Sequence, residues 1–251
     1  MKILMFHSYK GGCGKTLFSL NVANLLLNKG FRVLLIESDF EMPTFSKIFS
    51  SISPNLYFNH YLENKHNSLK NYIYPNMEAD LGIVFVEQNY NPEQKIFSSN
   101  QSWFLEKIDQ MKSDLTKLNY DYIIFDMAPG YHLFTINAIF LSNFIVLLMR
   151  PDYYSFKGTS EIINSIYKKS IEVQKISSHF IINQVPEYDK MNSLVKEWIS
   201  QFRINFPFFT SISQVAFSGE TNYYTAINKS FLPETDPTKI RIKEFCEKYL
   251  I

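Results

Sequence analysis

The sequence contains few cysteines and has almost no net charge. The chain of 251 residues contains two cysteines, Cys13 and Cys246, so it offers neither a disulfide framework nor the paired cysteines of a metal cluster. Lysine and arginine together exceed the acidic residues by one. This balance excludes a global charge that would indicate binding to nucleic acid or a membrane surface, and it leaves room only for a local basic patch.

Long apolar runs are also absent. No stretch reaches the roughly 18 apolar residues that a membrane-spanning helix needs, and Met1-Lys2 leads directly into an apolar segment instead of a signal peptide. We therefore expect a soluble, cytoplasmic protein. The length suits a single α/β domain over residues 1–251, with enough chain to bury a sizeable core.

Residues 5–16, Met-Phe-His-Ser-Tyr-Lys-Gly-Gly-Cys-Gly-Lys-Thr, predict a phosphate-binding loop. An apolar run typical of a buried strand precedes the glycines, and a helical pattern begins at Leu17. Glycines let backbone N–H groups turn toward phosphate oxygens, and the positive end of the helix dipole lies behind the anion. We expect Lys15 to reach the β- and γ-phosphates of ATP and the Thr16 hydroxyl to bind Mg²⁺. The predicted nucleotide-binding residues of this loop are Gly11, Gly12, Cys13, Gly14, Lys15, Thr16 and Leu17.

The first residue of the loop departs from the ordinary pattern. A glycine usually stands five positions before Gly14, but Tyr9 occupies that position, and Lys10 follows it as a second lysine. Here the chain resembles the ParA/MinD family of deviant Walker A ATPases, which belong to the SIMIBI class of P-loop NTPases. The resemblance implies that Lys10 is catalytic and reaches across a dimer to the partner's nucleotide. The alternative is a solvated lysine in a chance glycine turn.

Strand and helix patterns alternate along the chain. Several strands are apolar throughout, which is typical of a parallel sheet covered on both faces. The alternation predicts an α/β fold, a doubly wound and mostly parallel sheet with helices on both faces. Residues 44–80 have little pattern and predict a helical excursion. The predicted strands are residues 3–6, 32–37, 81–86, 121–126, 144–149 and 178–183, with an edge strand broken by Pro207 within 204–213; the predicted helices are 17–28, 101–118, 132–141, 155–172, 188–202 and 237–251.

Acidic residues follow the second predicted strand, at the edge where open α/β sheets bind their ligands. Asp39 matches the second aspartate of the family's Asp-x-Asp loop. The resemblance implies that Asp39 orients or activates the attacking water and lies beside the metal. The alternative for Asp39 is a loop aspartate that caps the helix near Thr44. Glu37 stands where the family has its first aspartate. We assign Glu37 a structural or supporting role, and this departure leaves open whether hydrolysis is intact.

Asp126 ends another apolar strand and is followed by Met-Ala-Pro-Gly. The stretch resembles the family's Walker B and switch II element, Asp-x-x-Pro-Gly. The resemblance implies that the Asp126 carboxylate holds a water on Mg²⁺ and that the N–H of Gly130 senses the γ-phosphate as this loop moves. Without the preceding strand, the same composition would indicate only a turn.

Two further residues are expected near the base of the nucleotide. Asn183 ends the Phe-Ile-Ile-Asn strand, where the family commonly has an asparagine on the adenine edge, and its amide can donate and accept at once. The alternative for Asn183 is a residue of a strand-end turn. Pro207, in Phe-Pro-Phe, resembles the family's Ile-Pro segment beside the base. Arg150 resembles the family's stretch after the fifth strand, as a structural or dimer-contact residue.

The resemblance implies a dimerising switch ATPase that hydrolyses ATP with Mg²⁺, forms an ATP-dependent homodimer and awaits an activating protein partner. Such an ATPase positions or partitions DNA, a cell structure or a protein complex. One alternative is an ATP-driven metallochaperone or iron–sulfur carrier of the same superfamily, which would need paired cysteines. Another is a bacterial Walker-type tyrosine kinase, disfavoured because Tyr249 alone lies near the end of the chain, with Tyr223 and Tyr224 nearby.

A nonspecific DNA surface and a membrane surface both remain open as partners in the ATP state, on the nucleoid or at the membrane. The last helix predicts an apolar stripe that docks on the core, and the alternative is a basic amphipathic helix lying on an anionic membrane. A nonspecific DNA surface could be formed by the basic residues Arg203, Lys229, Lys239, Arg241 and Lys243.

Overall fold

The computed structural model describes residues 1–64, 67–76, 80–89 and 101–251, with the side chains of 101–105 excepted. These residues form one eight-stranded sheet in the order β3-β4-β2-β5-β1-β6-β7-β8. Neighbouring strands are parallel, except that β3 pairs with β4 in the antiparallel sense. The strands are β1 (Lys2–His7), β2 (Val33–Ser38), β3 (Tyr74–Asn76), β4 (Leu81–Val84), β5 (Tyr122–Met127), β6 (Phe144–Met149), β7 (Ser177–Val185) and β8 (Ser211–Ala216).

Helices connect the strands and cover both faces of the sheet. They are numbered over the described residues: α1 (Lys15–Asn28), α2 (Phe45–Ile48), α3 (Phe58–Glu63), α4 (Gln101–Lys117), α5 (Leu133–Leu141), α6 (Tyr153–Ile162), α7 (Lys168–Gln174), α8 (Asp189–Asn205), α9 (Gly219–Ala226) and α10 (Pro237–Tyr249). A short 3₁₀ turn spans Leu69–Tyr72, and a π-helical turn, Ile163–Tyr167, joins α6 to α7. The doubly wound, mostly parallel sheet predicted from the sequence is confirmed.

Alternation along the central strands divides the core into two layers. In β1, Ile3 and Met5 pack on one face, while Leu4 and Phe6 pack on the other. Helices α1 and α10 cover the second of these layers, and α5 to α8 cover the first. Strands buried on both faces must be apolar throughout, which is why their sequence shows continuous apolar runs instead of alternation.

The parallel order brings the carboxyl ends of β1, β2, β5, β6 and β7 to one edge of the sheet. The chain leaves β1 through α1 toward β2 on one side and passes from β5 through α5 to β6 on the other. This reversal opens a crevice beyond the end of β1, where doubly wound sheets bind their ligands.

One predicted strand is displaced in the structure, and another strand was not predicted. The predicted edge strand within residues 204–213 is displaced, because α8 continues to Asn205 and β8 begins only at Ser211. Strand β3 was not predicted; it is three residues long, includes Pro75, and lies at the sheet edge, where a residue without an N–H is tolerated.

The last helix docks on the core. Ile242, Phe245 and Cys246 of α10 are buried in the layer that α1 covers, as the apolar stripe predicted. Lys239 is fully buried, with its Nζ donating to Asn21 Oδ1 at 3.5 Å, so it is wrong to include it in a basic surface. None of the helices within the described residues is long and apolar enough to span a bilayer.

Candidate nucleotide-binding site

The loop between β1 and α1 has the backbone shape that phosphate binding needs. Gly12 and Gly14 have φ values of 73° and 93°, a left-handed conformation that residues with a Cβ rarely adopt. Gly14 forms the N-cap of α1, and no side chain caps the helix there. The first-turn N–H groups therefore face the crevice without a side-chain acceptor, at the positive end of the helix dipole.

Space is tight on the inner side of this loop. A Cβ at Gly14 would lie 2.6 Å from Nδ2 of Asn183. Cys13 is buried, and its thiol donates to the carbonyl of Lys10 at 3.2 Å. Burial raises the pKa of the Cys13 thiol, which fits a small packing residue in the loop.

Lys15 and Thr16 begin α1 at the base of the crevice. Lys15 is 8% exposed, and within the described residues its ammonium forms neither a hydrogen bond nor an ion pair. The Thr16 hydroxyl donates to Oδ2 of Asp126 at 2.7 Å. Two predicted metal-site residues are thus brought together, although 110 positions separate them in sequence.

The Asp126 carboxylate is buried, and within the described residues only one of its two oxygens forms a hydrogen bond. Its Oδ1 has no hydrogen-bond partner among the described residues. Burial raises the pKa of Asp126 to about 6, against an ordinary value of 3.8. A buried carboxylate oxygen without a partner, next to a threonine hydroxyl, fits the hard oxygen ligands that Mg²⁺ prefers, directly or through water.

Asp126→Asn is expected to stabilise the nucleotide-free protein. Because burial raises the folded-state pKa, the stability that Asp126 contributes is complete below about pH 3.8 and is lost as the pH rises through about 6. Removing the charge should therefore raise the free energy of unfolding at pH about 7.5 by on the order of 3 kcal/mol, with little change at pH about 4. Denaturant unfolding at both pH values measures this.

Asp121, which directly precedes β5, is the matched control for that variant. Hydrogen bonds from Arg32 lower the pKa of Asp121, so its contribution has the opposite sign and is present above its unfolded-state pKa. Asp121→Asn should destabilise the protein at pH about 7.5. A loss of stability in Asp126→Asn at that pH would contradict the reading of Asp126 as a buried carboxylate kept for a ligand.

Glu37 caps a helix at the end of β2. Its Oε1 accepts hydrogen bonds from the N–H groups of Thr44 and Phe45, at the start of α2, and its Oε2 accepts from Val86. Burial raises the pKa of Glu37 to about 7. Glu37 therefore occupies the capping position near Thr44 that was the alternative for Asp39.

Asp39 lies in the loop after β2. Its Oδ1 accepts from the N–H groups of Glu41 and Met42, at 3.2 Å and 2.9 Å, which closes a local turn. Burial is the main cause of the raised pKa of Asp126, and the charge of Asp39 adds to it. Its catalytic and metal-binding roles stay predictions.

A cavity of about 310 Å³ extends from the glycine loop toward β8. Asn183 lines it, but its Nδ2 donates to the carbonyl of Cys13 at 3.0 Å. Gln184 beside it donates to the carbonyl of Gly12 at 3.2 Å. Successive strand residues normally point to opposite faces. Here the register is irregular between Ile182 and Val185, and Gln184 has a φ of 61°, so both amides reach the loop.

Curated proteins and solved structures resemble this chain, and two of the structures contain a bound nucleotide. The sporulation initiation inhibitor protein Soj of Bacillus subtilis is 25% identical over 177 residues, which cover 66% of this chain and 64% of Soj. A Borrelia burgdorferi plasmid partition protein bound to AMPPNP superposes with a TM-score of 0.75, at 18% identity over 99% of this chain and 98% of that one. The septum site-determining protein MinD of Pyrococcus horikoshii, complexed with Mg-ADP, has a TM-score of 0.69, at 16% identity over 98% and 95% of the two chains.

A family model extends this likeness over most of the chain. The family described as an AAA domain, AAA_31, matches residues 1–178. The chain belongs to the ParA/MinD family of P-loop ATPases.

Lys10 of this ATPase is held by its own chain. Its Nζ forms an ion pair with Asp152 Oδ1 at 3.5 Å and lies 5.1 Å from the centre of the Tyr154 ring. Asp152 is the N-cap of α6 and accepts a hydrogen bond from the N–H of Ser155. Lys10 is 42% exposed, so it can leave this pair without breaking the core. Its role across a dimer stays a prediction.

Gly130 of the ATPase lies beside Tyr9 at the start of the glycine loop and has a φ of 84°. Its N–H donates to the carbonyl of Ser8 at 2.9 Å. The predicted contact with a γ-phosphate therefore requires this hydrogen bond to open first. Arg150 is also near the loop, since a Cβ at Gly12 would lie 3.8 Å from its guanidinium.

The placement of Pro207 beside the base is wrong. Pro207 is exposed and precedes β8, so it lies beyond the amino ends of the parallel strands, at the edge opposite the glycine loop. The sequence prediction placed β8 too early in the chain. The residues that follow its carboxyl end are Phe217 and Ser218, and both line the cavity.

Sequence reasoning missed several residues of this cavity. One signal was present: Ser218 accepts a hydrogen bond from the N–H of Thr221 as the N-cap of α9, and such a cap marks a helix start just after a strand. No sequence signal marks the left-handed backbone of Gln184. The missed lining residues are Gln184, Ala216, Phe217, Ser218, Thr221, Asn222, Thr225 and Thr238.

Proposed function

We propose that this chain is an ATP-dependent dimerising switch that hydrolyses ATP to ADP and phosphate. The observation that carries the proposal is the Thr16–Asp126 pair at a helix start that no side chain caps. One oxygen of its carboxylate has no partner among the residues that the structure describes. Thr16 and Asp126 would hold Mg²⁺, which neutralises charge on the phosphate oxygens when bound. Lys15 supplies a positive charge for the phosphates, in addition to that of Mg²⁺, and this charge has no ion-pair partner within the part of the chain that the structure describes.

The remaining groups of the crevice have separate tasks. Asp39 orients the attacking water, because transfer of the γ-phosphoryl group needs an in-line nucleophile held by an acceptor. The N–H of Gly130 leaves Ser8 when a γ-phosphate is present and thereby reports it. Asn183 supports the glycine loop through Cys13 in the nucleotide-free protein, so any contact with adenine needs its amide to be shared or released.

Exposed apolar side chains at the same edge support face-to-face dimerisation. Met42, Tyr131 and Tyr154 are 75%, 52% and 72% exposed, and they follow the carboxyl ends of β2, β5 and β6 respectively. Apolar residues grouped around a ligand crevice favour a partner there. A second copy with its own crevice would give an isologous interface, with ATP between the protomers and Lys10 of each within reach of the other.

Light scattering with size-exclusion chromatography tests this function. We expect a monomer with ADP and Mg²⁺ and a dimer with AMPPNP and Mg²⁺, over a range of protein concentrations. The rate of phosphate release per protomer should be low and should rise with protein concentration, because the active species is a dimer. A monomer under all these conditions would contradict the dimerising switch, and the absence of nucleotide binding would contradict the site.

Lys10→Ala is expected to leave nucleotide affinity within about twofold of wild type, because Lys10 pairs with Asp152 and not with the glycine loop. The variant should dimerise with AMPPNP at least roughly tenfold more weakly, since a charged hydrogen bond across the interface is lost. Titration calorimetry and light scattering measure the two effects. Lys157→Ala, an exposed lysine of α6, is the control. Wild-type dimerisation and hydrolysis in Lys10→Ala would remove the cross-dimer role.

The cargo is a DNA, membrane or protein surface that binds the ATP state together with an activating partner. Four basic residues of the predicted DNA surface are exposed, namely Arg203, Lys229, Arg241 and Lys243, whereas Lys239 is buried. Arg241 is also paired with Glu244 at 2.8 Å. Co-sedimentation of the AMPPNP-bound protein with DNA and with anionic vesicles, across salt concentrations, separates the cargoes. Binding to neither would favour a protein cargo.

The metallochaperone alternative has less support. Cys13 and Cys246 are both free and buried, and burial raises the pKa of Cys246 to about 12. A metal cluster is held by accessible thiolates, whereas burial keeps a thiol protonated and out of reach of a metal.

A further inference from the structure

A buried histidine at the end of β1 connects Gly130 of switch II to the π-helical turn between α6 and α7. His7 is the last residue of β1 and is fully buried. Its Nε2 lies 2.9 Å from the carbonyl oxygen of Gly130, and its Nδ1 lies 2.8 Å from the hydroxyl of Tyr167. None of the functional roles described above uses this side chain.

The partners of His7 determine where its proton lies. A carbonyl oxygen can only accept, so Nε2 carries the hydrogen and donates to Gly130. Nδ1 is then the acceptor, and the Tyr167 hydroxyl donates to it. Burial lowers the pKa of His7 to about 3, so the ring is neutral at physiological pH and this single tautomer satisfies both partners.

Tyr167 belongs to the π-helical turn between α6 and α7. Such turns are rare and frequently occur at functional sites, because the extra residue shifts the side chains that follow it. The same turn also contacts the residue after switch II, since Ser165 Oγ lies 2.8 Å from the hydroxyl of Tyr131. Gly130, through His7, and Tyr131, directly, are therefore both connected to this turn.

We propose that His7 is a positioning residue that holds Gly130 in the resting conformation of switch II. The hold is two-sided: His7 donates to the carbonyl of Gly130 while Ser8 accepts from its N–H. The inference rests on the proposed function, in which that N–H moves to the γ-phosphate. The π-helical turn, through Tyr167, sets how tightly the resting conformation is held.

Tyr167→Phe removes the donor to His7 while keeping the ring in the core. If the resting conformation of switch II is held less tightly, the conformation that binds a γ-phosphate becomes more populated. The affinity for AMPPNP should then rise, while the affinity for ADP, which has no γ-phosphate, should not change. We expect the ratio of the ADP to the AMPPNP dissociation constant to rise about fivefold, the effect of one net hydrogen bond. Titration calorimetry with both nucleotides and Mg²⁺ measures it. An unchanged or lower ratio would overturn the proposal, as would equal losses of affinity for both nucleotides.

Two substitutions of His7 locate the effect at one nitrogen. His7→Asn keeps a polar group near the position of Nδ1 but loses the donor to Gly130, so its ratio should rise as in Tyr167→Phe. His7→Gln places an amide N–H near the position of Nε2 and should return the ratio to within about twofold of wild type. Equal ratios for the two variants would overturn the assignment of the donor.

Nitrogen-15 NMR of the wild-type protein gives a measurement that needs no variant. His7 should show the Nε2–H tautomer from about pH 5 to about pH 8. The Nδ1–H tautomer or a charged ring would overturn the proposal. If the wild type binds ADP and AMPPNP but the ratios do not shift, only this inference fails. Absence of any binding by the wild type would overturn the proposed function and this inference together.

Discussion

Lys15→Ala is expected to weaken ATP binding severely. The Lys15 ammonium is nearly buried and has no hydrogen bond or ion pair within the described residues, so its charge is available to the phosphates. Removing a desolvated charge from a phosphate contact costs about 2–5 kcal/mol, which corresponds to a loss of affinity of roughly thirtyfold to several thousandfold. Titration calorimetry with AMPPNP and Mg²⁺ measures the change.

Lys29→Ala is the matched control for this experiment. Lys29 is exposed at the C-cap of the same helix, α1, and lies at the opposite end from the glycine loop. Nucleotide affinity should be unchanged in this variant. Circular dichroism of the Lys15→Ala protein should show a native spectrum, because the site gives up a poorly solvated charge. Retained affinity in a folded Lys15→Ala protein would refute the phosphate-loop assignment.

Substitution of Asp39 is expected to stop hydrolysis and to trap the ATP-bound dimer. A general base typically contributes about 10² to 10⁴ in rate, so phosphate release should fall by roughly that factor while ATP binding persists. Size-exclusion chromatography with ATP should then show a dimer that does not decay. Asp39→Ala tests this directly, but it also deletes the acceptor for the N–H groups of Glu41 and Met42.

Asp39→Asn separates catalysis from the local turn. The asparagine oxygen can still accept from both N–H groups, but it cannot accept a proton from water. We expect Asp39→Asn to be as inactive as Asp39→Ala, with the melting temperature of the wild type. Glu41→Gln changes a charge in the same loop and should hydrolyse ATP normally. Normal hydrolysis in Asp39→Asn would show that Asp39 is not catalytic.

The central part of the fold could be predicted because its physical signals are local and mutually consistent. A strand buried on both faces must be apolar throughout, and a glycine turn followed by Lys-Thr and a helix has few other structural solutions. Parallel strands then bring their carboxyl ends together, which explains why Thr16 and Asp126 meet although no short-range pattern connects them. Predicting strand ends was therefore enough to predict much of the crevice.

The missed features depend on contacts between distant segments. Pro207 was misplaced because the apolar residues that end α8 read equally well as an edge strand. Glu37 caps α2 because the folded chain brings the start of α2 back to the end of β2, and no sequence pattern marks this contact. His7 and Tyr167 carry no motif, and their 160-residue separation hides the hydrogen bond. The burial of Lys239 depends on Asn21 in another helix, so sequence alone shows only a lysine on a mixed surface.

Tyr9, which occupies the first position of the unusual loop, lies against a helical glycine. A Cβ at Gly158 of α6 would lie 1.9 Å from the Tyr9 ring. The Tyr9 ring therefore fills the space that any side chain at position 158 would need. Glycine inside a helix costs about 1 kcal/mol relative to alanine, and this packing explains why the chain retains it. Substitutions at positions 9 and 158 should therefore be coupled. Descendants that acquire a side chain at position 158 should already have lost the large ring at position 9, and the reverse order of substitutions should be blocked.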